Sequence, residues 1–152
     1  MDAKEDPQRI KLMLDATEYQ SKPSENVRWQ VSKDIETSAT EVTAGEFALA
    51  MIKGQSFCVS LLNGQGRTKR HWVSQQIFAL DFDKNLQPED FLAECVTFGI
   101  RPAFLYTSFS DSPEYRKFRA MFLMDEAVTD MWRRDIIQGM LMKMFPDCDR
   151  QC

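Results

Sequence analysis

Residues 76–83 read QIFALDFD, an apolar stretch that closes on two carboxylates two positions apart. On an extended strand successive side chains point to opposite faces, so Ile77, Ala79, Asp81 and Asp83 share one face while Phe78, Leu80 and Phe82 share the other. The aromatic face suits packing against helices. The second face, expected to be open, ends in two like charges with Cβ atoms roughly 7 Å apart, which repel unless a cation lies between them. Hard divalent cations such as Mg²⁺ or Mn²⁺ take such oxygen pairs, commonly together with substrate phosphates. The bland alternative is a solvated strand end.

The sequence on either side is regular. After a strand over about 74–83, QPEDFLAECVTFG predicts a helix opened by Pro88 and closed by Gly99, followed by a strand in RPAFLYTSF. The polar segment SDSPEYR leads to another strand, KFRAMFLMD, and Thr129 is expected to cap a last helix. In that helix Trp132, Ile136, Ile137, Met140, Leu141, Met144 and Phe145 keep helical spacing up to Pro146. The order β-α-β-β-α predicts an α+β fold with an RRM-like or ferredoxin-like split βαβ core over residues 74–152, its fourth strand either beyond Cys152 or supplied by the first half. Truncation is the favoured reading of that gap. Residues 1–73 are expected to form an α/β extension of the same domain: a helix over 7–20, loop over most of 21–40, a capped helix from Thr43 to Gly54, a strand in QSFCVSLL and a basic loop over 63–71.

Composition narrows the chemistry. With 152 residues, 43% hydrophobic and 28% charged, the chain is long enough to bury a core without disulfides, and it contains no run of about 20 apolar residues. The start MDAKEDPQRIK lacks the apolar core of a signal peptide, which predicts a cytoplasmic protein with no membrane partner. Four scattered cysteines and a single histidine, His71, argue against structural zinc and against paired-histidine nucleases and proteases. No serine sits in a glycine-flanked elbow, which argues against a triad hydrolase. The net charge of −4 opposes indiscriminate coating of nucleic acid. The excess lies in residues 1–50, with six basic and ten acidic side chains, against thirteen of each in 51–152. Basic patches are therefore expected in the second part.

In KFRAMFLMD, Lys117, Arg119, Met121, Leu123 and Asp125 share a face. Central antiparallel strands set Lys117 and Arg119 near Asp83, so fixed cations flank the carboxylates as a triphosphate and its metal require. Lys69 and Arg70, in the basic loop before the aspartate strand, are candidate phosphate or template contacts. Trp72 and Tyr106 read better as core than as base-stacking residues.

The segments QQIFALDFD, PAFLYTSFSDSPEYRKFRAMFLMDEAVTD and MFPDCDRQC together resemble the archaeo-eukaryotic primase and primase-polymerase superfamily, as found in replication proteins of phages, plasmids and integrative elements. The resemblance covers about residues 68–152. It implies that Asp81 and Asp83 hold catalytic Mg²⁺ or Mn²⁺, with Asp149 as third carboxylate ahead of Asp147 and Asp125. It also implies that Arg119, with Lys117 and Arg116, holds a nucleoside triphosphate on a single-stranded DNA template. Arg119 stands where the family places a phosphate-contacting histidine; an arginine binds phosphate bidentately but does not titrate. The family's last strand and its Ser-Arg and glycine stretch are expected past Cys152, and a helicase region in the same full-length protein is an expected partner. The rival readings are a noncatalytic nucleic-acid-binding replication module and a two-metal nuclease.

Overall fold

The computed structural model describes residues 7–150. Its centre is β5 (Trp72–Phe82), the strand whose two faces were both expected to matter. The even face is sealed as anticipated. Phe78, Leu80 and Phe82 pack with Phe118, Ala120 and Phe122 of β7 (Phe118–Val128) beneath α3 (Pro88–Phe98) and α4 (Met131–Met144), which contribute Phe91, Cys95 and Leu141. Phe82 lies between Phe91 and Phe118, with ring centroids 4.8 and 4.9 Å away. Pro88 opens α3 at its first turn, and Gly99 ends it in a left-handed conformation that a side chain would strain.

The odd face is not open. It is roofed by a second antiparallel sheet, ordered β2-β1-β3, formed by β1 (Arg9–Leu14), β2 (Ala39–Thr43) and β3 (Phe57–Cys58), together with α2 (Ala44–Ile52). Ile77 and Met121 are buried there against Ile10, Leu12, Val42, Phe47, Ala50 and Met51. Two aligned faces of apolar side chains exclude water better than one sheet standing alone, which is why this half of the chain folds over the other.

β1 corrects the helix expected over residues 7–20. Arg9 and Lys11 face solvent while Ile10 and Leu12 are buried, a period of two that a helix does not supply. The loop expected over most of 21–40 contains α1 (Glu25–Ile35). Only Val31 and Ile35, one turn apart, anchor it, and they pack with Met13 and Leu62. Thr43 and Glu46 do form the capping box of α2, each side chain bonding the other residue's backbone N–H. The cap of α4 is Asp130 rather than Thr129; its carboxylate accepts the Trp132 N–H at 2.8 Å. On α4, Leu141 is buried and Ile137 half-buried, whereas Trp132, Ile136 and Met140 face solvent.

The larger sheet is ordered β4-β5-β7-β6, all antiparallel, with β4 (Ser60–Leu62) and β6 (Phe104–Thr107) at its edges. The neighbour of β5 on the side away from β7 is thus β4, from the first half of the chain. Ser60 opposite Gln75 and Leu61 opposite Ser74 are in the pairing, and the Ser60 hydroxyl donates to the side-chain Oε1 of Gln75 at 2.9 Å.

Candidate active site

The register of the two central strands builds the site. Ile77 faces Leu123, Ala79 faces Met121 and Asp81 faces Arg119, all on the odd face. Adjacent β6 sets Tyr106 beside Arg119, so a row of three polar side chains, Asp81, Arg119 and Tyr106, crosses three strands where the roof ends. The expectation that Arg119 stands near Asp83 is thereby shifted by two residues. Phe82 opposite Phe118 is the last paired position, and one step beyond it Asp83 and Lys117 line the same cavity.

Arg119 is held from three sides. Its Nε and Nη2 donate to the two carboxylate oxygens of Asp81, the latter at 2.8 Å, and Nη1 donates to the Tyr106 hydroxyl at 3.1 Å. Its guanidinium also lies 5.3 Å from the centroid of the Phe57 ring. Burial by itself favours the uncharged form, but the Asp81 hydrogen bond and the Tyr106 and Asp81 charges outweigh it, so Arg119 is held above its ordinary pKa. Burial raises the Tyr106 phenol above its usual value despite the opposing Arg119 charge. Arg119 and Asp81 are each one-third exposed at the side chain, so water screens the pair only in part.

A cavity of about 540 Å³ opens over the end of β5. Asp81, Asp83 and Asp149 contribute three carboxylates to its wall, and Lys22, Lys117 and Arg119 three cations. Asp149 is placed by its backbone N–H, which donates to the Asp81 carbonyl at 2.7 Å and fastens the segment after α4 to β5. Gly54 in the opposite wall is obligatory. Its φ is positive, and an added Cβ would fall 1.8 Å from the Tyr19 carbonyl oxygen.

A second cavity of similar volume shares only Phe57, Asp81 and Arg119 with the first, so the ion pair stands between them. It follows β5 back through Ala79 to Gln75 and adds Lys69, Arg134 and Asp135. Here three cations meet two carboxylates, an excess of positive charge that the first cavity lacks.

The predicted residues therefore divide. Asp81, Asp83, Asp149, Lys117 and Arg119 meet at one cavity, and Lys69 reaches the second while pairing with Asp135 at 3.8 Å. Arg116 reaches neither. Its Nε donates to Asp111 at 2.9 Å, bracing the loop before β7. Arg70 lines neither cavity, and His71 packs against Gly66 in the basic loop. Tyr106, read as core, does pack against the apolar cluster beneath the roof, and its hydroxyl in addition reaches Arg119 at the cavity, a contact that the pairing of its strand with β7 supplies. Lys22 lay in a segment read as loop and carries no sequence signal.

The donor set suits a hard divalent cation in part. Among the described residues no group of three or more His, Cys, Asp or Glu stands together as a metal cage. Mg²⁺ is commonly held by one or two carboxylates with substrate phosphates completing its shell; Asp81 and Asp83 line one cavity, and both oxygens of Asp81 accept from Arg119. No protein-family model, curated protein or solved structure matches the chain. Among the described residues no helix is long and apolar enough to cross a membrane.

Proposed function

We propose that this chain is a primase or primase-polymerase domain of a replication protein, transferring nucleotidyl groups from NTP or dNTP to a 3′-hydroxyl on a single-stranded DNA template. The observation that carries this reading is the convergence of Asp81, Asp83 and Asp149 with Lys117 and Arg119, drawn from three separate segments, on one cavity at the end of β5. The strand order supports an RRM-like, split βαβ core in which β4 takes the fourth place beside β5.

Asp81 and Asp83 are the ligands for Mg²⁺ or Mn²⁺, with Asp149 adjacent. When bound, the metal supplies acidification of the attacking hydroxyl and charge relief for the leaving pyrophosphate. Lys117 and Arg119 hold the triphosphate, Arg119 through its planar fork and Lys117 as a point charge. Tyr106 fixes the direction of that fork. Lys69 and Arg134 in the second cavity carry the template's phosphates, since the positive excess there needs no metal to attract them. In this reading the protein works in the cytoplasm, and a helicase region in the same full-length protein supplies the unwound strand.

The test is primer synthesis on single-stranded DNA with Mg²⁺ or Mn²⁺ and labelled NTP or dNTP. The expected outcome is metal-dependent primers from the parent protein and none from Asp83→Ala. Equal synthesis by both sinks the proposal, and degradation of the strand without nucleotides assigns a nuclease instead. A second reading draws on the Asp81–Arg119 pair itself: the carboxylate already has a cation, as in a noncatalytic nucleic-acid-binding module. That reading predicts strand binding that survives replacement of both aspartates and ignores Mn²⁺.

A further inference from the structure

Two roles meet in one ion pair. Asp81 is the proposed metal ligand and Arg119 the proposed phosphate ligand, yet each is the other's hydrogen-bond partner at both carboxylate oxygens. A carboxylate has about four lone-pair sites, so the fork occupies half of them and leaves a positive group against the oxygens a metal must approach. A divalent cation placed there meets like-charge repulsion from a guanidinium that cannot shed its proton. A triphosphate offers the same fork a second set of paired, charge-assisted acceptors.

From this geometry we propose, resting on the nucleotidyl-transfer reading, that the Asp81–Arg119 pair is an interlock: Arg119 competes with the metal for Asp81, and phosphate drawing the fork aside opens the carboxylate. Arg119 is then more than an anion contact. It makes metal and nucleotide uptake mutually dependent, and by linkage each strengthens the other by the same factor. Tyr106 and Phe57 steady the fork, Tyr106 through Nη1 and Phe57 through the ring beneath it, so its movement is a swing between partners and not a loss of order. Lys117 lines the same cavity and serves as a further anion contact there.

The interlock is read directly from Mn²⁺ affinity, followed by electron paramagnetic resonance on the whole chain without nucleotide, for the parent protein, Arg119→Gln and Arg119→Lys. Arg119→Gln is expected to bind Mn²⁺ about tenfold more tightly than the parent, within the usual range of coupling between sites. Arg119→Lys, which keeps the charge but loses the fork, is expected in between. Adding Asp81→Asn to Arg119→Gln must remove the gain, which places the ion at this carboxylate. Adding sulfate at matched ionic strength should raise Mn²⁺ affinity in the parent and not in Arg119→Gln. Thermal unfolding of each variant checks that it is folded, and Arg119→Lys provides the reading if Arg119→Gln is not. Unchanged or weaker Mn²⁺ binding in both Arg119 variants overturns the interlock; a purely structural guanidinium gives that result. Primer synthesis by the parent protein then tells whether nucleotidyl transfer stands without it.

Discussion

The two faces of β5 are built from the same strand and end differently. On the even face Phe78, Leu80 and Phe82 continue apolar contact to the last residue, where Phe82 is closed in by Phe91 and Phe118. On the odd face Ile77 is buried under the second sheet, but at Asp81 a charged row and a cavity take over, with Met51 and Phe57 of the roof in the cavity wall. The even face is closed from Phe78 to Phe82 by residues of α3 and α4. The odd face is bound by a roof that leaves a cavity over the strand's end, and the site lies in that cavity.

Changes on the two faces should therefore separate stability from activity. Phe82→Ala removes the most enclosed ring at the strand's end and is expected to cost about 3–5 kcal/mol in a urea titration. Whatever remains folded should still bind nucleotide. Asp83→Ala inverts this: primer synthesis falls about a hundredfold or more, about 2.7 kcal/mol at the barrier, while the unfolding midpoint hardly moves. If Asp83→Ala unfolds the protein, or Phe82→Ala spares it, the contrast between the faces is wrong.

A third change loosens the roof alone. Thr43→Ala breaks the capping box at the start of α2, whose Met51 lines the cavity, and is expected to cost about 1 kcal/mol. Tyr106→Phe is smaller, with a stability loss of about 1 kcal/mol or less and a raised nucleotide KM as the Arg119 fork loses its guide. Its sharper signature is in pH. Because burial raises the folded phenol's pKa, the protonated form is the one the fold favours. That stability is complete below the unfolded value of about 10 and is lost as pH rises through the folded value. Chemical unfolding between pH 9 and 11 should show a falling limb that Tyr106→Phe flattens.

How much of this is visible in the sequence depends on the range of the interaction that fixes each element. Helix α3 announces itself through Pro88 and Gly99, and β5 and β7 through unbroken alternation over several residues. β1 has only Ile10 and Leu12 in alternation before Met13 and Leu14 blur the period, and its identity is settled by partners some thirty residues away, such as Val42 opposite Ile10. α1 has two buried anchors, too few to outweigh its polar surface. The roof over the odd face follows from those same distant pairings, and so an open face was expected. The site was more legible, because strand parity alone puts Asp81, Asp83, Lys117 and Arg119 on one face of neighbouring strands; the register that sets Asp81 and not Asp83 opposite Arg119 depends on the pairing itself. Arg116 looked equivalent to Lys117 in sequence; the carboxylate of Asp111, five residues earlier, takes it away.

The Asp81–Arg119 register also bears on how the chain reaches its fold. In a pleated sheet a slip of one residue between β5 and β7 exchanges every inward side chain for an outward one. Such a slip of β7 would thrust Arg119 among Phe82, Phe91 and Phe145 with its charge unmatched, and would turn Phe118, Ala120 and Phe122 to the opposite face. Misaligned chains are thus penalised by the very charges that the aligned chain uses. The row that serves chemistry doubles as a ruler for assembly, and a variant that neutralises both Asp81 and Arg119 would fold with less discrimination even where it loses little stability.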